Sequence, residues 1–113
     1  MLDELELAAS KAQNMVKKSL DALVNTDVKL AKEVCVDDDE VDRLTREMIN
    51  KTVEGIESNP KKTEDYFNIR SISKNLERIA DSATNVAEDV IYLCTGEIIR
   101  HQAEDFNPDY YAA

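Results

Sequence analysis

Three long stretches of the chain repeat apolar residues at steps of three and four, the spacing that places side chains on one stripe of an α-helix. The first begins at Leu2 and runs through Leu5, Ala9, Ala12, Val16, Ser19 and Leu23, a narrow seam whose small residues allow a neighbouring helix close. Asn25-Thr26-Asp27, residues that favour caps over helix interiors, interrupt it. Val28, Ala31, Val34 and Cys35 resume the pattern, so the segment near 25–36 reads as a short helix or a kinked continuation. Asp37, Asp38 and Asp39 follow, and an acid run before an apolar-periodic segment suits a helix N-terminus. A second long helix is therefore expected from there, with the seam Val41, Leu44, Met48, Thr52 and Ile56. Pro60 biases Asn59 away from helical dihedrals and ends it.

The third stretch has Thr63 as its expected N-cap and the seam Ile69, Ile72, Leu76, Ile79, Ala83, Val86, Val90 and Leu93. It is expected to stop near Thr95-Gly96, where glycine can take the left-handed cap conformation. Residues 97–113 then read as a partly ordered tail. Short loops between long helices make neighbours antiparallel, so the fold class is all-α and the architecture an antiparallel three-helix bundle over residues 1–96. With 113 residues, one core is what the chain can bury, and two glycines and two prolines leave little turn chemistry for a many-stranded alternative.

Charge narrows the function. A net charge of −10 repels nucleic-acid backbones and anionic lipid, and no cluster of Lys/Arg overrides it locally, so neither nucleic-acid binding nor membrane insertion is expected. Such acidity suits a basic protein partner or bound cations, and it equally suits a small bundle kept soluble by its acids. Cys35 and Cys94 are not in a CxxC arrangement and sit on or near apolar faces, which argues against a disulfide framework. The opening MLDELELAAS has acids where a secretory signal carries Lys or Arg, and no apolar run reaches membrane-spanning length. A cytoplasmic protein is expected.

The candidate chemistry lies in carboxylates. Glu77 and Asp81 stand four residues apart beside the third seam, Asn85 continues the same steps, and Glu88 falls nearby. Like charges at i and i+4 cost a helix roughly 0.2–0.5 kcal/mol unless something positive is close. One reading supplies Lys74, Arg78 and, from the neighbouring helix, Arg43 or Arg46 as salt-bridge partners. The other supplies a hard cation, because Asp38 and Asp42 form a second i, i+4 acid pair that could meet the first across an antiparallel helix pair. Asp38 also has a plainer reading as a capping acid. His101 is the only histidine, which excludes twin Glu-x-x-His di-iron motifs and histidine-based zinc catalysis. No serine or cysteine has a local His/Asp relay, and two isolated glycines form no phosphate cradle, so the chain is not read as an enzyme.

VDDDEVDRLTREM, followed after the Pro60 loop by NLERIADSATNVAEDVIYLCTGE, resembles the PhoU domain family of phosphate-transport regulators. The resemblance covers most of Leu2 to Arg100, including NTDVKLAKEV. It implies a three-helix bundle and a cytoplasmic, non-enzymatic regulator of phosphate uptake and starvation signalling, acting with the phosphate ABC transporter's ATPase and the phosphate-sensing histidine kinase. It also implies iron or zinc on the family's acidic signature, which matches Asp38/Asp42 and Glu77/Asp81 here. Two departures stand out. Ser82 occupies a place that is often histidine, and one bundle stands where full-length members have two in tandem, as in the second half of such a protein. The single bundle implies a homodimer or a second repeat as its partner.

Overall fold

The structure is a computed structural model that describes residues 1–106, with side chains described to Gly96. Helix α1 (Leu2–Asn25), helix α2 (Val28–Ser58) and helix α3 (Thr63–Phe106) run up, down and up in an elongated bundle of 69 × 25 × 16 Å. No strand occurs among the described residues. The long axis follows from α3, whose 44 residues at about 1.5 Å each span nearly the whole length.

The first reversal takes two residues. Thr26 adopts a left-handed conformation (φ 48°, ψ 46°), and the Asp27 amide donates to the Ala22 carbonyl at 2.9 Å, which satisfies an orphan acceptor at the end of α1. Asp27 then caps α2, its carboxylate accepting from the Leu30 amide at 3.1 Å. The cap-favouring Asn25-Thr26-Asp27 thus mark a complete chain reversal. Val28–Cys35 form the first turns of α2, which continues unbroken through Asp37-Asp38-Asp39. The expected helix start at that acid run is corrected: Asp38 lies ten residues inside α2, and Asp27 already provides the cap.

The second reversal passes through a 3-10 turn, Pro60–Lys62, beginning at the expected proline. Thr63 is itself helical, and its hydroxyl donates to the Pro60 carbonyl rather than capping α3. Nearby, the Tyr66 ring lies so close to Gly55 that a Cβ there would stand 2.5 Å from a ring carbon. The glycine lets the start of α3 fold against the end of α2. At the other end α3 passes Gly96 without a positive φ and reaches Phe106, so the expected stop at Thr95-Gly96 is also corrected. The side chain of His101 and residues 107–113 lie outside what the structure describes.

The bundle axis is lined largely by alanine. Ala8, Ala12, Ala22, Ala31, Ala80, Ala83 and Ala87 are all buried, with Met15, Met48, Val34, Val41 and Val90 filling the wider gaps between them. On α3 the buried row is Ser73, Leu76, Ala80, Ala83, Ala87 and Val90. The expected seam shares Leu76, Ala83 and Val90 with it, but Ile72, Ile79 and Leu93 remain 43–49% exposed. On α1, Ala8, Met15 and Ala22 replace the expected Ala9, Val16 and Leu23. The cause is steric: three helices approach closely only if small side chains face the axis, which turns the branched residues onto the flank.

This rotation is testable by paired substitution. Leu76→Asp places a charge in the core, a loss of several kcal/mol that rivals the whole stability of a small domain, so the variant unfolds. Ile79→Asp, three residues on, stays helical and melts cooperatively. Circular dichroism melting checks both, and equal damage from the two would contradict the observed facing of α3.

Candidate metal centre

The acid run in the middle of α2 divides between two grooves because successive helical residues point about 100° apart. Asp37 and Glu40 face α1, where the Lys18 ammonium donates to Asp37 at 2.9 Å and Lys11 pairs with Glu40 at 2.9 Å. Lys18 also lies 3.9 Å from Glu33, and the Asp37 hydrogen bond raises the Lys18 pKa above its ordinary value. Asp39 is exposed. Asp38 and Asp42, half-buried, turn the other way into the α2–α3 groove, where Asp81 meets them.

Asp38, Asp42 and Asp81 each bring one carboxylate oxygen within 4.8 Å of the other two. None of the three takes part in an ion pair among the described residues. Burial raises the Asp38 pKa, and the Asp42 and Asp81 charges push it further up, against a weaker opposing pull from the Thr84 hydroxyl. Asp42 is raised for the same reasons, burial first and then Asp81 and Glu77, with Arg46 opposing. Asp38 Oδ1 is buried and accepts no hydrogen bond. A buried carboxylate oxygen without a donor is costly, and three acids within contact distance repel one another.

The salt-bridge reading fares differently at each residue. Lys74 does approach Glu77, at 3.6 Å. Arg43 pairs with Glu47 on its own helix at 3.1 Å instead of crossing to α3, and Arg78 reaches Asn75 at 3.5 Å rather than Asp81. Glu77 stands beside the trio: its Oε1 lies 3.2 Å from the Thr45 hydroxyl, which is also within bonding distance of the Val41 and Asp42 carbonyls. Glu77 and Asp81 therefore do face Asp38 and Asp42 across the groove. Asn85 and Glu88 are exposed and outside the trio, although Glu88 and Asp38 are close enough to Cys35 to help burial raise its thiol pKa. Thr45 and Thr84 were not singled out from sequence, because a threonine inside a helix most often bonds its own backbone, as both also do here.

The donor set fits a hard cation. Its groups are carboxylates, one oxygen is without a donor, and the mutual repulsion would be relieved by positive charge. Oxygen-only donors suit hard cations such as magnesium, calcium and manganese, whereas zinc is more often held by nitrogen and sulfur.

Fold and groove together define an all-helical bundle with an acid-lined groove between α2 and α3. The chain belongs to the PhoU domain family, whose sequence profile matches residues 5–90. It is 36% identical over 97 residues to a protein of Clostridium acetobutylicum named phosphate-specific transport system accessory protein PhoU homolog, an alignment covering 86% of this chain and 44% of that protein. A Pseudomonas aeruginosa protein of the same name is 37% identical over 98 residues, covering 87% of this chain and 40% of its own length. Homolog 2 of Thermotoga maritima is 29% identical over 96 residues, covering 85% and 41%. The chain thus spans about two-fifths of the length of these relatives. No solved structure matches it.

The raised pKa values give a pH signature. A carboxyl whose folded pKa lies above its unfolded value binds protons more readily when folded, so its ionisation removes stability as pH rises from the ordinary value of 3.8 through the raised one. Asp38→Asn removes this penalty. The metal-free variant is expected to be more stable than the parent at neutral pH by about 0.5 kcal/mol, with the advantage fading as pH falls toward the ordinary value. Denaturant titrations at a series of pH values measure it, and a neutral-pH loss of stability would show that Asp38 is compensated in the native state.

Proposed function

We propose that this protein is a non-enzymatic regulatory module of phosphate uptake and phosphate-starvation signalling. It works by protein–protein contact and binds a multivalent cation in its α2–α3 groove. The phosphate assignment rests on family membership and on relatives named as accessory proteins of the phosphate-specific transport system. Its partners on this reading are the transporter's ATPase and the phosphate-sensing histidine kinase. The protein is taken to act in the cytoplasm and to pair with itself or with a second PhoU domain. No described helix is long and apolar enough to cross a membrane.

The observation that carries the cation half is the Asp38, Asp42 and Asp81 trio with its donorless Asp38 oxygen. Asp38 and Asp42 supply the half-buried oxygens and the exposed Asp81 completes the trio from α3, with Glu77 beside it as a further carboxylate. Bound iron, or zinc with less favourable donors, would neutralise the acids and tie α2 to α3. Cation occupancy would then set the rigidity of the surface that a partner reads.

Chelator-stripped protein resupplied with iron, manganese or zinc tests the cation half. Bound metal stabilises the native state by RT ln(1 + [L]/Kd), about 2.7 kcal/mol at a hundredfold excess over Kd, so melting is expected to rise. Asp81→Asn is expected to abolish the rise while leaving metal-free stability equal or slightly higher. A wild-type protein with no melting shift and no metal by elemental analysis would end the cation reading. The phosphate half is tested separately, by pull-down from phosphate-replete and phosphate-starved cells, where recovery of neither the transporter ATPase nor the sensor kinase would count against it.

A further inference from the structure

The α2–α3 groove carries the same spacing on both of its helices. Asp38, Asp42 and Thr45 on α2 and Glu77, Asp81 and Thr84 on α3 each set two carboxylates four residues apart and a threonine three residues further on. Positions i, i+4 and i+7 share one helical stripe. Because α2 and α3 run in opposite directions, an approximate twofold axis across the groove relates the two stripes. Asp42 and Asp81 meet near its centre. Each threonine then stands opposite the first acid of the other helix, Thr45 against Glu77 and the half-buried Thr84 against Asp38.

Thr45 is fully buried, and its Oγ lies 3.0 Å from the Val41 carbonyl, 3.1 Å from the Asp42 carbonyl and 3.2 Å from Glu77 Oε1. A hydroxyl has one proton to donate among these three acceptors. Both carbonyls already accept an amide of their own helix, whereas Glu77 Oε1 is a carboxylate oxygen of the neighbouring one. Hydrogen bonds to carboxylates are about twice as strong as those between neutral groups, so the proton is best used on Glu77.

These donors differ in kind from those of the α1–α2 groove. There Lys11 and Lys18 hold Glu40 and Asp37 and cancel their charge. Here hydroxyls reach across, while positive groups stay back: Lys74 lies 3.6 Å from Glu77 Oε2 on its own helix, and Arg46 acts on Asp42 without an ion pair among the described residues. A hydroxyl orients a carboxylate, leaves its charge in place and leaves it lone pairs to offer. Glu77 needs such a hold, since its freely turning side chain and the pull of Lys74 would otherwise draw the carboxylate away from Asp42 and Asp81.

We propose that Thr45 and Thr84 are positioning residues for the cation of this groove, each holding in place the outer carboxylate of the opposite helix, Thr45 for Glu77 and Thr84 for Asp38. The proposal rests on the cation reading above and adds what orders the ligands.

Manganese titrated into the chelator-stripped chain and followed by calorimetry reads the effect as a dissociation constant, and circular dichroism confirms that each metal-free variant is folded. Thr45→Val removes the hydroxyl at nearly constant shape and is expected to weaken manganese binding at least about tenfold, and Thr84→Val to weaken it as well. Thr45→Ser should bind nearly as the parent does. Thr52→Val, at an equally buried threonine whose hydroxyl donates to the Ile49 carbonyl, should leave the constant unchanged. If Thr45 acts through Glu77, Thr45→Val causes no further loss once Glu77→Gln is present. Parent-like binding by Thr45→Val or by Thr84→Val overturns the role of that threonine and leaves the cation reading standing. So do, for Thr45, a serine variant as weak as the valine one or losses that add in the double variant. Should Thr45→Val fail to fold, Thr45→Ala in its place reads the same loss of the hydroxyl. A parent chain that takes up no manganese overturns the cation reading and the positioning roles together.

Discussion

The close approach of three helices along an alanine-lined axis is the constraint on which the rest of the structure depends. Ala12, Ala31, Ala80 and Ala87 bury almost completely and contribute little hydrophobic area each, so the bundle gains its stability from close contact along its length. Met15 and Met48, unbranched and adaptable, fill the spaces that alanine leaves. Close approach fixes how each helix is turned about its own axis, and with it what stands in every groove.

In the α1–α2 groove the outcome is complementary: Lys11 and Lys18 meet Glu40 and Asp37. In the α2–α3 groove it is the reverse, since Asp38 and Asp42 meet Asp81 while Arg43 and Arg78 pair on their own helices. The same contact that stabilises the core thus holds like charges together at a partly desolvated site. That is unfavourable for a bundle alone and useful for one that takes up a cation. The turning of α1 and α3 has a second effect, because bringing alanines to the axis leaves leucine and isoleucine on the flank as a strip facing solvent.

Much of this was legible in the sequence. The helical periods, the break at Asn25-Thr26-Asp27, the reversal at Pro60 and the three-helix architecture followed from local residue chemistry, whereas the first break read as a kink and is a complete reversal. That the Asp38/Asp42 and Glu77/Asp81 pairs could meet followed once the helices were taken as antiparallel, while the register that brings them together came only with the structure. The acid run at Asp37–Asp39 misled because an N-terminus and a mid-helix segment serving two grooves favour the same residues. Gly96 misled because glycine permits a stop without requiring one, and α3 continues through it. The rotation of the core stripe was hidden because isoleucine announces burial more loudly than alanine, although only alanine fits at the axis. Which oxygen-bearing side chains lie within reach of one another depends on that rotation, which is why Asn85 and Glu88 stood as further candidates beside Asp81.

The central claim is that helix packing gathers these acids into one cation site. Manganese at substoichiometric amounts, followed by paramagnetic broadening of backbone amide resonances, tests it most directly. Broadening should appear first around Asp38 to Thr45 on α2 and Glu77 to Thr84 on α3, and should vanish there in Asp81→Asn. Broadening spread evenly over the acidic surface, or centred away from the α2–α3 groove, would contradict the account.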